Sequence, residues 1–290
     1  MDYEILNVKS MAKNLNNMTY TLYYYKLSAI AMSVFKWNNL PNNIDERWIE
    51  KYLFHNGECM IFNDDMFGLM VSKVNRNGIN HYDEPTDLYP VATNYSNTKS
   101  YINGVECVLI KNNDYSFPTH IATQLYAYRL ADITRTQDVN INAQKTPVLI
   151  KCSEKQRLTL RNVYSQYQGN EPVIYGDKSS DFQDIEVLKT DAPVIFDKLQ
   201  LQKHQLMNEY LTMLGINNAN MDKKERLVDD EVQANNDEVE FFLETMLKTR
   251  QRACEEINRI FGTNISVERR VEYKVPNDSE GSDGSEEEVA

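Results

Sequence analysis

The sequence lacks the patterns that most nucleotide-dependent and hydrolytic enzymes carry. It has no G-x-x-x-x-G-K-[ST] or G-x-G-x-x-G loop, in which glycines let the backbone approach a phosphate, and no G-x-S-x-G nucleophile elbow. The four histidines are far apart in the sequence; they are His55, His81, His120 and His204. We therefore predict no catalytic residue and no cofactor, because an enzyme would have to gather its residues from distant segments.

Cysteines and long apolar runs are also scarce. The cysteines are widely scattered, without the spacing of a metal site, a redox pair or a disulfide framework; they are Cys59, Cys107, Cys152 and Cys254. The first residues, MDYEILNVKS, have no basic region followed by an apolar core, so we expect no secretory signal and an intracellular assembly site. The longest apolar run, Leu27–Phe35, is too short to cross a bilayer, so we expect no membrane partner.

Positive charge is in deficit, since the formal net charge is −12. This argues against a protein that coats DNA with its whole surface, but it leaves room for contact through a few placed lysines. Half of the excess lies in residues 278–290, which hold six carboxylates and no basic residue, so we predict a disordered, solvated tail there. A lysine doublet stands out in the polar stretch GINNANMDKKERLVDDEV, residues 215–232.

The N-terminal part predicts two helices followed by short strands. Helical spacing predicts a helix over 14–36, with a stripe that consists of Met18, Leu22, Tyr25, Ala29 and Met32. A short helix follows around Trp48–Leu53 and ends at Gly57. The apolar runs CMIF, FGLMVSKV and YINGVECVLI predict strands, with a hairpin turn at Asn103-Gly104 and another turn at NRNG, residues 75–78.

Two long helices are predicted to bracket a small β-rich unit. The first runs over 118–143, with Ser116 near its cap and a stripe of Ile121, Leu125 and Tyr128. Residues 147–190 show the order β-α-β-β. The second helix runs over 191–215, capped by Asp191 and ended by Gly215, with Ile195, Leu199, Leu206, Tyr210 and Met213 on its inner stripe. A further helix over about 236–261 and a strand over 265–275 complete the pattern.

Several segments, in order, resemble the upper collar, or connector, protein of small short-tailed bacteriophages with protein-primed linear DNA. They are WNNLP, NNDYSFPT, NAQKTPVLI, VYSQYQGNEPVIY, KTDAP, DKLQLQK, LGINNANMDKKERLVDDEV and RQRACEEINRIFG. The match is close over about 112–262 and looser over 20–110. The resemblance implies an α+β portal fold, in which long tilted stem helices bracket a small β-rich clip and an α/β wing completes the subunit.

The resemblance also implies a division of the chain. It gives a wing over 1–117, a stem helix over 118–146, the clip over 147–190, a stem helix over 191–215, a channel loop over 216–236, a second wing part over 237–277 and the acidic tail over 278–290. The family has three stem helices per subunit, and the helix of 14–36 is assigned here to the wing.

The implied function is that of a head–tail connector at one capsid vertex, through which DNA is packaged and ejected. The family forms a homododecameric ring in the virion, assembled in the host cytoplasm. Its partners are the major capsid and scaffolding proteins, the lower collar or tail protein, and a separate packaging ATPase, in some members through a packaging RNA. The N-terminal arm, with a net charge of only +1 over residues 1–27, departs from the strongly basic arm associated with that RNA.

Four lysines match positions that line the channel in this family: Lys189, Lys198, Lys223 and Lys224. In a ring, each becomes a circle of positive charge that touches phosphates without reading bases. The alternative for the doublet is an ordinary solvated loop, and Lys189 or Lys198 could instead pair locally with Asp191 or Asp197.

Two other classes of function remain at this point. The acidic run Asp229, Asp230 and Glu231 could hold a divalent ion in a metal-dependent nuclease or packaging enzyme, although consecutive carboxylates point in different directions. A soluble adaptor that binds only protein is the third possibility. The mass of the native particle separates a ring from both.

Overall fold

The computed structural model describes residues 8–92, 99–144, 148–151, 173–176, 185–187, 193–217 and 229–270. Its helices are α1 Val8–Ala31, α2 Glu46–Asn56, α3 His120–Gln144, α4 Phe196–Met213 and α5 Asp229–Phe261. Its strands are β1 Phe35–Asn38, β2 Glu58–Asp64, β3 Gly68–Ile79, β4 Pro85–Val91, β5 Tyr101–Ile102, β6 Cys107–Lys111, β7 Val148–Lys151, β8 Val173–Gly176, β9 Ile185–Val187 and β10 Ser266–Arg269. This mixture confirms the α+β prediction.

An antiparallel sheet with the strand order β5-β4-β3-β2-β6 dominates the N-terminal part. Its two outer strands are consecutive in the chain, and Asn103 forms a bridge with Cys107, so the sheet curls until its edges meet. The predicted turn at Asn103-Gly104 is present, with Gly104 at φ 78°. The flanking strands do not form a simple hairpin, however, because β5 pairs with β4 and β6 pairs with β2.

The turn predicted at residues 75–78 is wrong. These residues belong to β3, where Arg76 lies opposite Leu88 and Asn77 lies opposite Asp87. The chain reverses later, at Asn80, whose side-chain oxygen accepts hydrogen bonds from the backbone N–H groups of Tyr82 and Glu84. Pairing with β4 therefore overrides the local turn preference of the Asn-Gly dipeptide.

The N-terminal helix begins and ends earlier than predicted, at Val8 instead of residue 14 and at Ala31 instead of residue 36. It ends at Ala31, and residues Phe35–Asn38 form a strand that pairs antiparallel with Ser266–Arg269. Phe35 and Trp37 point into the core from this strand, with 2% and 6% of their surface exposed. Burial of two large aromatic side chains on one face of a strand explains why the helix stops. The strand predicted over 265–275 is confirmed for Ser266–Arg269, and its residues after 270 lie outside the described ranges.

The two helices that follow the small β unit also have different starts from those predicted. Asp191 lies outside the described residues, and the entry to α4 is held by Asn140, which accepts from Ile195 N at 3.3 Å and donates to Pro193 O at 2.9 Å. The helix α5 begins at Asp229, seven residues before the predicted start. Gly215 ends the preceding helical segment at φ 71°, as expected for a left-handed C-terminal position.

A three-stranded sheet forms the described part of the 147–190 unit. Its order is β8-β7-β9, with β7 parallel to β8 and antiparallel to β9. The three predicted strands are therefore confirmed, while the helix predicted over 159–169 lies outside the described residues. Ser116, predicted near the cap of α3, lies in the preceding loop with φ 57°.

Both faces of β2 are buried, which joins two cores. Cys59 and Ile61 face the main core, where the helices and β1, β2 and β6 meet. Met60 and Phe62 face a second cluster inside the curled sheet, together with Leu88, Tyr101, Cys107 and Leu109. The alternation of a strand, with successive side chains on opposite faces, lets one short element anchor both clusters.

Candidate channel wall and subunit interface

Helices α1, α3 and α4 pack together into one layer, which we call the helical layer. Its centre is the fully buried Tyr210 of α4. The Tyr210 hydroxyl lies 2.9 Å from Thr123 Oγ1 of α3 and donates to Leu27 O of α1 at 3.0 Å. Burial raises the pKa of Tyr210, so the hydroxyl keeps its proton and can serve both neighbours. One side chain thus ties three helices together.

Further polar contacts extend along the helical layer. They are Tyr23 Oη to Thr134 Oγ1 at 2.9 Å, Arg135 Nε to Asn16 Oδ1 at 2.8 Å, and Gln137 Nε2 to Gln200 Oε1 at 3.2 Å. The first two contacts join α1 to the second half of α3. Leu27, near the end of α1, instead shares the Tyr210 hydroxyl with Thr123, near the start of α3, so the two helices run antiparallel. The helix α1, which the sequence assigned to the wing, therefore packs with α3 and α4.

Two apolar stripes identified in the sequence face outward from this layer. On α1, Met18, Leu22 and Tyr25 are 62%, 67% and 67% exposed, while Leu27 on the opposite side is fully buried. On α3 a similar stripe leaves its apolar groups in solvent; it consists of Ile121, Leu125 and Tyr128. Helices that are apolar on two opposite sides need a second partner. A single chain supplies only one.

The outward face of α4 is polar. Lys198, Gln202, Gln205 and Glu209 follow one another at helical spacing and are all exposed. Lys198 has no ion pair or hydrogen bond within the part of the chain that the structure describes, so the local pair with Asp197 is not formed. Its positive charge is free to meet an external anion.

A groove runs between α3 and α4 on the outer side of the helical layer. Its volume is about 380 Å³, and its lining consists of Tyr128, Arg129, Asp132, Ile133, Gln202, Gln205, Leu206 and Glu209. Apolar atoms form part of its surface, and charged groups of both signs stand around them. Such a mixed lining suits a protein surface better than a small ligand.

The remaining predicted site residues lie only partly within the described ranges. Lys189, Lys223 and Lys224 lie outside them. The run Asp229, Asp230 and Glu231 forms the first turn of α5, and successive positions of an α-helix are about 100° apart around its axis. Among the side chains that the structure describes, no group of three potential ligands could hold a metal ion.

Two of the histidines, separated by 65 positions in the sequence, come together at the junction of α2 and α3. The ring centroids of His55 and His120 lie 5.8 Å apart, and the buried Phe54 packs edge-on against both. The pKa of His55 is lowered by burial and then by the neighbouring His120, Lys51 and Lys73. Sequence reasoning missed this pair because nothing local links the two positions.

A buried ion pair joins α2 to α5. The guanidinium of Arg250 makes a two-pronged contact with Glu50, from Nε to Oε1 at 2.9 Å and from Nη2 to Oε2 at 2.8 Å. Its other donors reach Asn112 O at 3.1 Å, Asn112 Oδ1 at 3.0 Å and Met246 O at 3.0 Å. All five donors of the guanidinium are used, which fixes α5 on α2.

Comparison with known proteins identifies relatives of the whole fold. The family model described as Phage Connector (GP10) matches residues 3–274. A solved structure described as the portal and tail of native bacteriophage P68 is 17% identical to this chain, covers 94% of both chains and has a TM-score of 0.50. At this identity the likeness shows the fold alone. Within the described residues, no helix is both long and apolar enough to cross a membrane.

Proposed function

Because the chain belongs to the phage connector family, we propose that its helical layer forms the wall of a channel that conducts viral double-stranded DNA. The protein itself is a head–tail connector, or portal, protein: a structural component of the phage particle that associates with copies of itself and with capsid and tail proteins. The observation that carries the assignment is the family match over residues 3–274, which includes every element of the helical layer.

The subunits assemble into a closed ring of twelve at one capsid vertex. Support comes from the exposed stripes of α1 and α3, since a chain that leaves apolar helix faces in solvent gains by covering them with a neighbour. We assign α1, α3 and α4 to the stem, because the three helices share one set of contacts. Residues 147–190 form the clip, and the wing comprises the remaining described N-terminal part and residues 237–277. The channel loop shortens to 216–228, because α5 begins at Asp229.

DNA passes through the ring by contact with sparse lysines. Lys198 supports this proposal because it is exposed and lacks an ionic partner among the described residues. Lysines engage phosphates without regard to sequence, while an otherwise acidic protein keeps the duplex from adhering. Lys189, Lys223 and Lys224 act with Lys198 by the family resemblance.

The packaging energy comes from a separate ATPase, and the ring assembles in the host cytoplasm with scaffolding and lower collar proteins. Residues 1–27 carry a net charge of only +1, which does not favour the binding of a packaging RNA by this arm. No observation among the described residues favours the nuclease alternative, so we propose no enzymatic activity.

The DNA role is tested by replacing the channel lysines and measuring retention of the genome. Particles with Lys198→Ala, or with Lys223→Ala and Lys224→Ala together, should form rings and fill, but should hold less nuclease-protected DNA once the motor is removed. Lys36→Ala is the matched control, since Lys36 is an exposed lysine of β1 that pairs with Glu268 at 3.5 Å, away from the helical layer. Equal retention in all variants would refute the lysine contacts, and an absence of rings in the wild-type protein would refute the portal assignment.

A further inference from the structure

We infer that the ring closes when the outward stripe of α1 from one subunit enters the groove between α3 and α4 of the next. The stripe consists of Met18, Leu22 and Tyr25, and the groove is the one lined by Tyr128, Asp132, Leu206 and Glu209. This inference rests on the proposed ring, but it specifies which surfaces meet. The contact covers Gln202, Gln205 and Glu209 of α4, whereas Lys198, one turn before Gln202, is not part of the groove lining.

The positions of the two surfaces suit a head-to-tail contact. Leu27 turns the inner side of α1 towards Tyr210 and the other two helices, so Met18, Leu22 and Tyr25 point away from the layer. The groove opens on the α3 and α4 side of the same layer. Two different surfaces that face away from each other produce a heterologous contact, and such a contact repeats around a ring. A two-fold dimer would require the same surface on both partners.

The chemistry of the two surfaces is complementary. The helix α1 contains no acidic residue, and Lys26 stands exposed beside Tyr25 without an ion pair or hydrogen bond in the described part of the chain. The groove presents Asp132 and Glu209, which likewise have no ionic partner among the described residues. Arg129 is the single cation in the groove lining, so the two carboxylates give the groove a net negative charge. Oppositely charged groups around an apolar centre fix the register of an interface.

The apolar part of the contact is matched as well. Leu22 lies at the middle of the α1 stripe, one turn from Met18 and from Tyr25, so the three side chains form a single ridge. The groove offers Leu206 and Ile133 at its floor and the exposed ring of Tyr128 at its rim. A helical ridge in a groove between two helices is the usual way in which helices pack. The occupant that fits is therefore a second copy of this chain.

Charge reversal in two separate variants provides the test. Lys26→Glu makes the α1 surface acidic, and Asp132→Lys with Glu209→Lys makes the groove basic. Each variant alone should fail to form rings, because its own two surfaces repel. An equimolar mixture should restore rings of alternating subunits, because the new α1 carboxylate then meets the basic groove and Lys26 meets the unchanged groove. The readout is the fraction of ring in sedimentation velocity, with circular dichroism as the check of folding.

Apolar variants provide the second arm. Leu22→Asp should convert rings to monomers, whereas the control Met66→Asp, at a β-turn side chain that is 85% exposed, should leave them intact. Glu240→Lys, on the outer face of α5, is the control for the groove charges. The inference is overturned if Leu22→Asp still forms rings, or if the mixture of the two charge-reversal variants stays monomeric although each variant is folded. It is also overturned if the interface variants form rings and lose only the binding of a capsid or tail partner. Failure of the wild-type protein to form rings would instead refute the proposed function.

Discussion

Replacing Arg250 with Met should destabilise the subunit strongly. Arg250 is 2% exposed and Glu50 is 3% exposed, so removing the guanidinium leaves a carboxylate in the core beside a single neutral donor, the indole N–H of Trp37 at 2.9 Å, among the described contacts. Loss of one member of a buried ion pair costs about 3–5 kcal/mol in the free energy of unfolding. The stacking of Arg250 on the Phe35 ring, at 4.2 Å, is lost in the same change. Met preserves much of the apolar stem.

The matched control is Arg252→Met, two residues along the same helix. Arg252 pairs with Asp114 at 3.2 Å, but their side chains are 66% and 59% exposed, so its loss should cost no more than about 1 kcal/mol. The double replacement Arg250→Met with Glu50→Met should recover most of the loss, because no buried charge then remains. Denaturant unfolding at one protein concentration measures all three. Equal destabilisation by the two arginine variants would refute the reasoning.

Three further predictions concern the backbone, a histidine and the thiols. Gly215→Ala should cost more unfolding free energy than Gly262→Ala, because both have φ above 60° but only at Gly215 would the new methyl lie 2.6 Å from a neighbouring side chain; equal losses in thermal unfolding would contradict this. The pKa of His55 is lowered in the folded protein, so its stabilising contribution is present above about pH 6.5 and is lost as the pH falls. His55→Gln should therefore make the free energy of unfolding less dependent on pH on the acid side. An unchanged pH dependence of the unfolding free energy would count against this. Burial raises the pKa of the Cys107 and Cys254 thiols to about 12, so a thiol reagent at pH 8 should label them only after unfolding; rapid labelling of either thiol in the native ring, read by mass spectrometry, would refute their burial.

The long helices and short strands were predictable because their signals are local. The spacing of apolar residues in 118–143 and 191–215, with proline near the start and glycine at the end of the second, reflects constraints that neighbouring residues impose. The strand at Phe35–Asn38 was missed because its pairing partner lies more than two hundred residues away, at Ser266–Arg269. The same distance hides the contact between Glu50 and Arg250, which neither segment shows by itself.

The sequence predicted which helix faces of the candidate site are apolar or charged, but not how these faces are placed relative to one another. The spacing of Met18, Leu22 and Tyr25 indicates an apolar side of α1, yet it cannot tell whether that side meets the core or a neighbour, since both remove it from water. The structure shows that this side is exposed within the single chain, because Leu27 on the other side is the one that is buried. Lys198 was located correctly on a helix, and its lack of a local partner became visible only in three dimensions.

The most direct test of the portal account is electron microscopy of the purified protein without nucleic acid. The account predicts closed rings with an axial opening wide enough for duplex DNA, in which three helices per subunit surround the opening and the exposed stripe of α1 is covered by the adjacent subunit. A protein that remains monomeric at micromolar concentration, or that forms two-fold dimers without an axial opening, would contradict it.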